Sequence, residues 1–195
     1  MAISYPLSLP AENQIRAISM EAVTAGAVAR SPFTLSSQVF SFSGEMWRAD
    51  VTLKPMRRPD AAAWVAFGLK CRGQFGTFLL GDPFGSVARG TATSATVTGA
   101  AGDRTLSVAM SGTLLAGDYI QISAGADATL HSVLEDQSGS GSLEIWPALR
   151  KARTSITAIT SSPKGVFRLA ANSHRWDVDA LCVYGLTFAA EESFA

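Results

Sequence analysis

The stretch GEMWRADVTLKPM, residues 44–56, alternates between apolar and polar side chains and constrains the fold more than any other part of the chain. One side would carry Trp47, Ala49, Val51 and Leu53, and the other Met46, Arg48, Asp50 and Thr52. Successive side chains of a strand point to opposite faces. The alternation therefore predicts a strand that buries one face in the core.

The next stretch, RRPDAAAWVAFGLKCRG, changes to a helical period and is the only convincing helix signal in the sequence. Pro59 suits the first turn of a helix, where its missing N–H costs nothing, and Asp60 favours the positive end of the helix dipole. Gly73 is in the usual place for a helix end. An apolar set recurs at three- and four-residue spacings: Ala61, Trp64, Phe67 and Cys71. This stripe is interpreted as core packing in preference to a ligand face.

Two short apolar segments share the pattern G-x-F-x-L, beginning at Gly76 and at Gly165, and they bracket a change in composition. Between them, residues 87–153 are rich in Thr, Ser, Ala and Gly and contain several short strand candidates. We infer that this middle segment is an insertion, and that the chain returns near residue 155 to complete the sheet of the first domain. The shared pattern is short, so a coincidental match is the alternative.

Charge is scarce in this chain of 195 residues. Only 16% of the residues are charged, below the usual figure of about 25%, and 16 basic residues balance 16 acidic ones. This composition suggests a surface largely covered by neighbours, with a well-packed monomer as the alternative. It also argues against a nucleic-acid-binding face, because the basic residues cluster only at 57–58 and 150–153.

The sequence shows no targeting or membrane signal. The start, MAISYPLSLP, lacks the basic and apolar regions of a signal peptide, and no apolar run approaches the ~18 residues of a membrane helix. We expect synthesis and folding in a reducing cytoplasm. Cys71 and Cys182 are predicted to be buried free thiols, because they stand alone without metal or redox spacing.

Residues with catalytic potential are few. His131 lies in a predicted strand, and His174 lies in a turn where Asp177 or Asp179 could orient it, but no G-x-S-x-G nucleophile motif accompanies them. No metal motif such as H-E-x-x-H or C-x-x-C is present. Two adjacent acidic pairs are interpreted as a solvated turn and tail: Glu135–Asp136 and Glu191–Glu192. We therefore predict no catalytic, cofactor-binding or metal residues, no cofactor and no enzyme activity.

Two tryptophans could stack on sugars. Trp146 ends a strand in EIWP, and Trp176 alternates with Val178 in HRWDVDA. Core packing is the favoured interpretation of both side chains. They are nevertheless the residues that a carbohydrate-binding function would use.

Several segments, taken in chain order, carry a resemblance that covers nearly the whole sequence. They are YPLSLP, RSPFTLSSQVFSFSGEMWRADVTLKPM, the helix with Trp64 and Phe67, RGQFGTFLLGDP, AGDYIQIS, LEIWPALR, KGVFRLA and YGLTF. In these segments the chain resembles tail-tip proteins of long-tailed bacteriophages and related prophages, akin to the distal tail protein. GTFLLGDP with the upstream tryptophan strand is the most specific part of the likeness, and the middle of the chain is the least specific.

The resemblance implies a fold. In this family a β-barrel or split-barrel domain forms a ring under the tail tube, and an outer domain can point away from the axis. We therefore expect a mainly β protein with one short α-helix. The expected parts are a discontinuous β-barrel-like ring domain, residues 1–86 and 154–195, and a small inserted β-domain, residues 87–153.

The resemblance also implies a function: a structural virion protein at the tail tip that joins the tail tube to the hub and receptor-binding parts. The expected partners are copies of itself in a ring, expected to be hexameric, together with the tail tube, tape measure and hub or baseplate proteins. Neither nucleic-acid sequence recognition nor membrane insertion is expected. The alternative is a carbohydrate-binding adhesion module of the tail tip, and a third interpretation is a hydrolase of the cell envelope.

Overall fold

The computed structural model describes residues 3–194, and these form a mainly β protein with one α-helix. In chain order the strands are β1 (Ile15–Arg30), β2 (Ser37–Leu53), β3 (Met56–Arg57), β4 (Thr77–Leu80), β5 (Ser94–Gly99), β6 (Thr105–Met110), β7 (Thr113–Leu114), β8 (Tyr119–Ile122), β9 (Thr129–Val133), β10 (Gln137–Ser138), β11 (Gly141–Trp146), β12 (Arg153–Ile159), β13 (Gly165–Leu169), β14 (Trp176–Val178) and β15 (Val183–Glu192). The helix α1 spans Arg58–Cys71, and short 3-10 turns lie at Glu12–Gln14 and Gly125–Asp127.

The strands form an open antiparallel sheet and a closed barrel. The open sheet has the order β1-β2-β15-β13-β4, and β3 and β14 pair with the first part of β15. The barrel closes in the order β11-β6-β5-β12-β8-β9, and β7 pairs with β10 beside it. Closure leaves the barrel strands without a free edge. The predicted fold class, mainly β with one short helix and a β-barrel, is confirmed.

The position of the barrel differs from the expectation. The flanking segments were expected to form the barrel, whereas they form the open sheet, and the closed barrel is built from strands between residues 94 and 159. Its last strand, β12, lies beyond the expected boundary at residue 153 and pairs with β5 and β8. The composition shift ends before β12, so composition did not reveal the strand that completes the barrel. The division into two domains stays a prediction.

The two G-x-F-x-L segments are neighbouring strands of the open sheet. They are β4 and β13, which pair antiparallel with Phe78 directly opposite Phe167. Both phenylalanine side chains are fully buried. The chain therefore leaves the open sheet after one strand, forms the barrel, and returns to the adjacent position.

Helix α1 packs on the buried face of the open sheet, as its pattern predicts. Pro59 is in its first turn, and the helix ends where Arg72 and then Gly73 adopt left-handed backbone conformations. The predicted apolar stripe is buried, and its aromatic rings meet those of the sheet. The ring centroids of Phe67 and Phe78 are 5.3 Å apart, and those of Phe78 and Phe188 are 6.0 Å apart. Such pairs add about 0.5–1.5 kcal/mol each to the gain from burial.

Two buried carboxylates connect the open sheet to the barrel side. Glu45 of β2 accepts hydrogen bonds from Arg104 Nη2 at 2.7 Å and from the Ala148 backbone N–H at 2.7 Å. Glu192 of β15 accepts from Arg150 Nη2 at 3.0 Å. Burial raises the pKa of Glu45, but the hydrogen bonds from Ala148 and Arg104 outweigh it, so the pKa is lowered overall. At Glu192 burial outweighs the attraction of Arg150, and the pKa is raised.

We expect Arg150→Met to destabilise the protein strongly. It would leave the Glu192 carboxylate buried without its cationic partner, which typically costs about 3–5 kcal/mol. The matched control is Arg48→Met, which breaks the pair with Glu191; those side chains are 46% and 32% exposed, so the expected cost is below about 1 kcal/mol. Urea unfolding curves measure both changes, and equal costs for the two variants would contradict the prediction.

Gly68 lies in the last turn of α1, and glycine within a helix normally costs about 1 kcal/mol relative to alanine. A Cβ atom at this position would overlap the imidazole of His174. We therefore expect Gly68→Ala to lower the free energy of unfolding despite the better helix propensity of alanine. In a His174→Ala background the same substitution should be neutral or stabilising. A double-mutant cycle by chemical denaturation measures this difference, and additive effects would contradict it.

Candidate assembly surface

Strands β1 and β2 form a long hairpin whose outer part has no covering layer among residues 3–194. The register shifts where Thr24 pairs with Glu45 and Gly26 pairs with Ser41, so that one β1 residue faces three β2 residues. On the body side of this bulge, β2 alternates between buried and exposed side chains. On the other side of the bulge, away from the body of the protein, every residue from 32 to 44 is exposed. We call residues 26–42 the hairpin arm.

The hairpin arm is apolar and nearly uncharged. Arg30 is its only charged residue. Six large apolar side chains are exposed on it: Val28, Phe33, Leu35, Val39, Phe40 and Phe42. Phe33 is 93% exposed, Phe42 56% and Phe40 44%. These three rings alone present on the order of 400 Å² of apolar surface, as large as the largest patch on a typical monomer.

Both faces of the arm carry apolar groups. Phe40 lies opposite Ala27 on one face, and Val39 lies opposite Val28 on the other. Two-stranded hairpins are at best marginally stable in water on their own. An arm that is apolar on both faces is therefore suited to be covered on both sides by neighbouring molecules.

The outer edge of β1 is also open. Among residues 3–194, β1 pairs only with β2, so its 16 residues have a free hydrogen-bonding edge. Three of these residues are charged: Arg16, Glu21 and Arg30. An unprotected edge of this length is a template for pairing with another chain. The free edge and the apolar faces of the arm are thus two features of the same surface.

A second apolar tip lies at the turn between β14 and β15. Trp176, Val178 and Leu181 are exposed there. Cys182, in the same turn, is exposed with a left-handed backbone, so the prediction that it is buried is wrong. The sequence pattern did not predict the exposure of Cys182, because a run of apolar residues indicates burial even where the run crosses a turn. Cys71 is a buried free thiol as predicted, and burial raises its pKa to about 11.

His131 is a core residue of the barrel side. Its Nδ1 lies 2.7 Å from the Pro147 carbonyl oxygen, and its Nε2 lies 2.9 Å from Thr129 Oγ1. A carbonyl oxygen can only accept, so Nδ1 carries the proton and Nε2 accepts from the threonine hydroxyl. Burial lowers the pKa of His131 to about 4, although the hydrogen bond to Pro147 opposes this shift. Both ring nitrogens are thus occupied by structural contacts.

His174 is not joined to the aspartates that the sequence offered as orienting partners. Asp177 pairs with Arg175 at 2.9 Å, and Asp179 accepts backbone N–H bonds in the β14–β15 turn. The His174 Nε2 atom is buried and has no hydrogen-bond partner within residues 3–194. The structure therefore does not join His174 to either of its candidate orienting aspartates.

The two acidic pairs differ in their surroundings. Glu135 and Asp136 are exposed, in agreement with the predicted solvated turn. Glu191 is partly exposed and pairs with Arg48, whereas Glu192 is buried at the junction with the barrel. The interpretation of Glu192 as part of a solvated tail is therefore wrong. Adjacent strand residues point to opposite faces, so one residue of the pair is in the core.

The two tryptophans also differ. Trp146 is half-buried and packs edge-on against Trp47, with ring centroids 4.5 Å apart. Trp47 also donates from its indole N–H to the Leu130 carbonyl oxygen at 2.9 Å. Trp146 is thus part of the sheet–barrel junction, as core packing predicted. Trp176 is 38% exposed, so the interpretation of its side chain as core packing is wrong, and it is the accessible ring of the two.

Across residues 3–194, no three His, Cys, Asp or Glu side chains are grouped so that they could hold a metal ion. In that range no helix has the length and hydropathy of a membrane span.

The sequence matches no protein-family model, and no curated protein is significantly similar to it. The likeness to tail-tip proteins therefore depends on the segments quoted above.

We expect protonation of His131 to contribute to acid destabilisation. Its pKa is about 4 in the folded protein and about 6.5 when unfolded, so the unfolded chain binds the proton more tightly. The associated stability is present above pH 6.5 and is lost as the pH falls towards 4, by about 3 kcal/mol in total. Urea unfolding at pH 7.5, 6, 5 and 4 measures the loss. His131→Gln should lose less stability over this range, and parallel curves would contradict the assignment.

Proposed function

We propose that this protein is a non-enzymatic structural component of a bacteriophage tail tip. In this proposal, copies of the chain form a ring that joins the tail tube to the hub and receptor-binding parts. The hairpin arm is the observation that carries it. Its two uncovered apolar faces and the open edge of β1 suit a subunit that is completed by its neighbours.

A ring requires one patch of each subunit to contact a different patch on the next, with a rotation that closes. The hairpin arm projects from the bulge near Ala25, and its apolar surface is separate from the core of its own subunit. It could therefore contact the body of an adjacent copy without disturbing its own fold. The low charge of the chain is compatible with the apolar character of permanent interfaces.

The resemblance to tail-tip proteins supplies the biological setting. It includes the strand with Trp47 and the segment GTFLLGDP, which in this structure belong to the open sheet. The exposed hairpin arm argues directly for one of the expected partners, which is further copies of the chain. The tail tube, tape measure and hub proteins, and the hexameric state, follow from the resemblance alone.

The carbohydrate-binding alternative has less support. Trp146, the tryptophan of the middle segment, packs against Trp47 and does not offer an open ring face. Trp176 is accessible, but it belongs to the open sheet and not to the barrel. The hydrolase interpretation requires His174 to act with Asp177 or Asp179, and these side chains have other partners.

The arm proposal predicts the effect of polar substitutions. We expect the purified protein to form ring-sized oligomers, and the triple variant Phe33→Ser/Phe40→Ser/Phe42→Ser to be monomeric with an unchanged thermal midpoint, because these rings contribute little to its own core. Native mass spectrometry and light scattering measure the oligomer. The matched control is Phe84→Ser, a side chain that is 66% exposed outside the arm and should leave assembly intact.

Electron cryomicroscopy of the virion tests the location. The expected result is a closed ring of this chain around the tail axis, with the hairpin arm against an adjacent subunit. A position in the capsid alone would contradict the proposed function. An arm exposed to solvent within such a ring would contradict the role given to the arm while leaving the location intact.

A further inference from the structure

The segment from residue 171 to residue 182 is held to the rest of the protein in an unusual way. It contains β14 and the apolar tip, and it runs from the end of β13 to the start of β15. Of the described residues 171–182, His174 is the only one that is not exposed. His174 is therefore the least exposed side chain of this segment, and Trp176 lies beside its ring with centroids 6.0 Å apart.

The contact partner of the imidazole is α1. His174 lies over Gly68, and only the absence of a side chain there admits the ring. The groove beside it is bordered by strands of the open sheet, including residues Asp50 and Phe188. Other attachments of the segment are peripheral: Asn172 Oδ1 accepts from the Gln74 backbone N–H at 3.1 Å, and β14 forms a three-residue ladder with β15.

The Nε2 atom of this imidazole is buried without a hydrogen-bond partner among the described residues. A neutral ring protonated on Nδ1 can leave Nε2 as an unpaired acceptor at moderate cost. Protonation of Nε2 would place an N–H and a positive charge in the same position without an acceptor, which is much more costly. The ring must then leave the contact with Gly68 to become solvated.

We propose that His174 is an acid-sensitive latch that holds segment 171–182 on α1 and releases it when the imidazole is protonated. Release would free β14 and the tip with Trp176 and Leu181 from their fixed position. The latch is a local device and does not depend on the proposed ring. Its opening is reversible, because only a proton is gained and lost.

Among residues 3–194 no carboxylate is within hydrogen-bond distance of the His174 Nε2 atom, so none is placed to hold the protonated ring where it is. Asp50 on β2 and Arg175 on the segment itself border the same groove, and they have opposite charges. Arg175 is paired with Asp177. On α1 the contact is with Gly68, which carries no charge. Burial lowers the pKa of His174, which agrees with a contact that favours the neutral ring.

The sign of the pH dependence follows from this geometry. The closed contact favours the neutral imidazole, so latching is complete above the ordinary histidine pKa of about 6.5 and weakens as the pH falls below it. At pH 5 the His131 site, with its pKa of about 4, is still largely neutral. Part of the stability that His131 contributes is nevertheless already lost at pH 5, because the unfolded chain takes up the proton below about pH 6.5, so the His131→Gln variant separates local opening at His174 from loss of the barrel core.

Hydrogen–deuterium exchange tests the latch. Full-length protein at pH 7.5 and pH 5.0 is compared after correction for the intrinsic pH dependence of amide exchange. We expect several-fold faster exchange at pH 5.0 in peptides covering 171–182, with a smaller change in the barrel strands β5 and β6 that the His131→Gln substitution reduces. Unchanged exchange in 171–182 would overturn the proposal.

Two variants and one titration assign the effect to this imidazole. His174→Gln, which cannot titrate, should show the same exchange in 171–182 at both pH values, whereas His131→Gln should retain the wild-type difference. A pH dependence that persists in His174→Gln would overturn the proposal. An NMR titration of the wild-type His174 ring provides an independent readout, and a midpoint at or above 6.5 would also overturn it.

Discussion

Strand β2 is the constraint on which the rest of the structure depends. Its body half pairs with β1 on one side and β15 on the other, and its alternating side chains bury Trp47, Ala49 and Val51. The same strand places Glu45 against the barrel side and, beyond the bulge, becomes one half of the hairpin arm. Core, junction and candidate assembly surface are therefore consecutive parts of one strand. A change of register by one residue would reverse all three.

The local sequence pattern predicted the elements whose structure is decided by the spacing of their own apolar residues. The strand 46–53 and α1 were recognisable because their periods decide which side chains are buried, and Ala61, Trp64 and Phe67 are buried accordingly. The shared pattern of β4 and β13 indicated an insertion, and these strands prove to be neighbours. The fold class followed from such signals together with the resemblance.

A single sequence could not predict which strands that are distant along the chain pair with each other. Strand β12 joins the barrel because β5 and β8 lie on either side of it, and nothing in its own alternation distinguishes it from the strands of the open sheet. Glu192 is buried because Arg150, 42 residues earlier, reaches its carboxylate. The hairpin arm was visible only as alternation, and alternation predicts which side chains share a face but not whether that face is covered. Only the three-dimensional structure shows that its phenylalanines are exposed, because no layer formed by residues 3–194 covers them.

The barrel lies along the chain between two strands that are neighbours in the open sheet. Because β4 and β13 are adjacent, a tight turn between them would leave the ladder of the open sheet intact, and the barrel occupies the place of an ordinary hairpin loop. A connection of a different length at this position would therefore leave the pairing of β4 with β13 unchanged. The choice of a replacement for the barrel is restricted, because Glu45, Glu192 and Trp47 contact the barrel side. A replacement module would need guanidinium groups against Glu45 and Glu192 and an aromatic ring against Trp47.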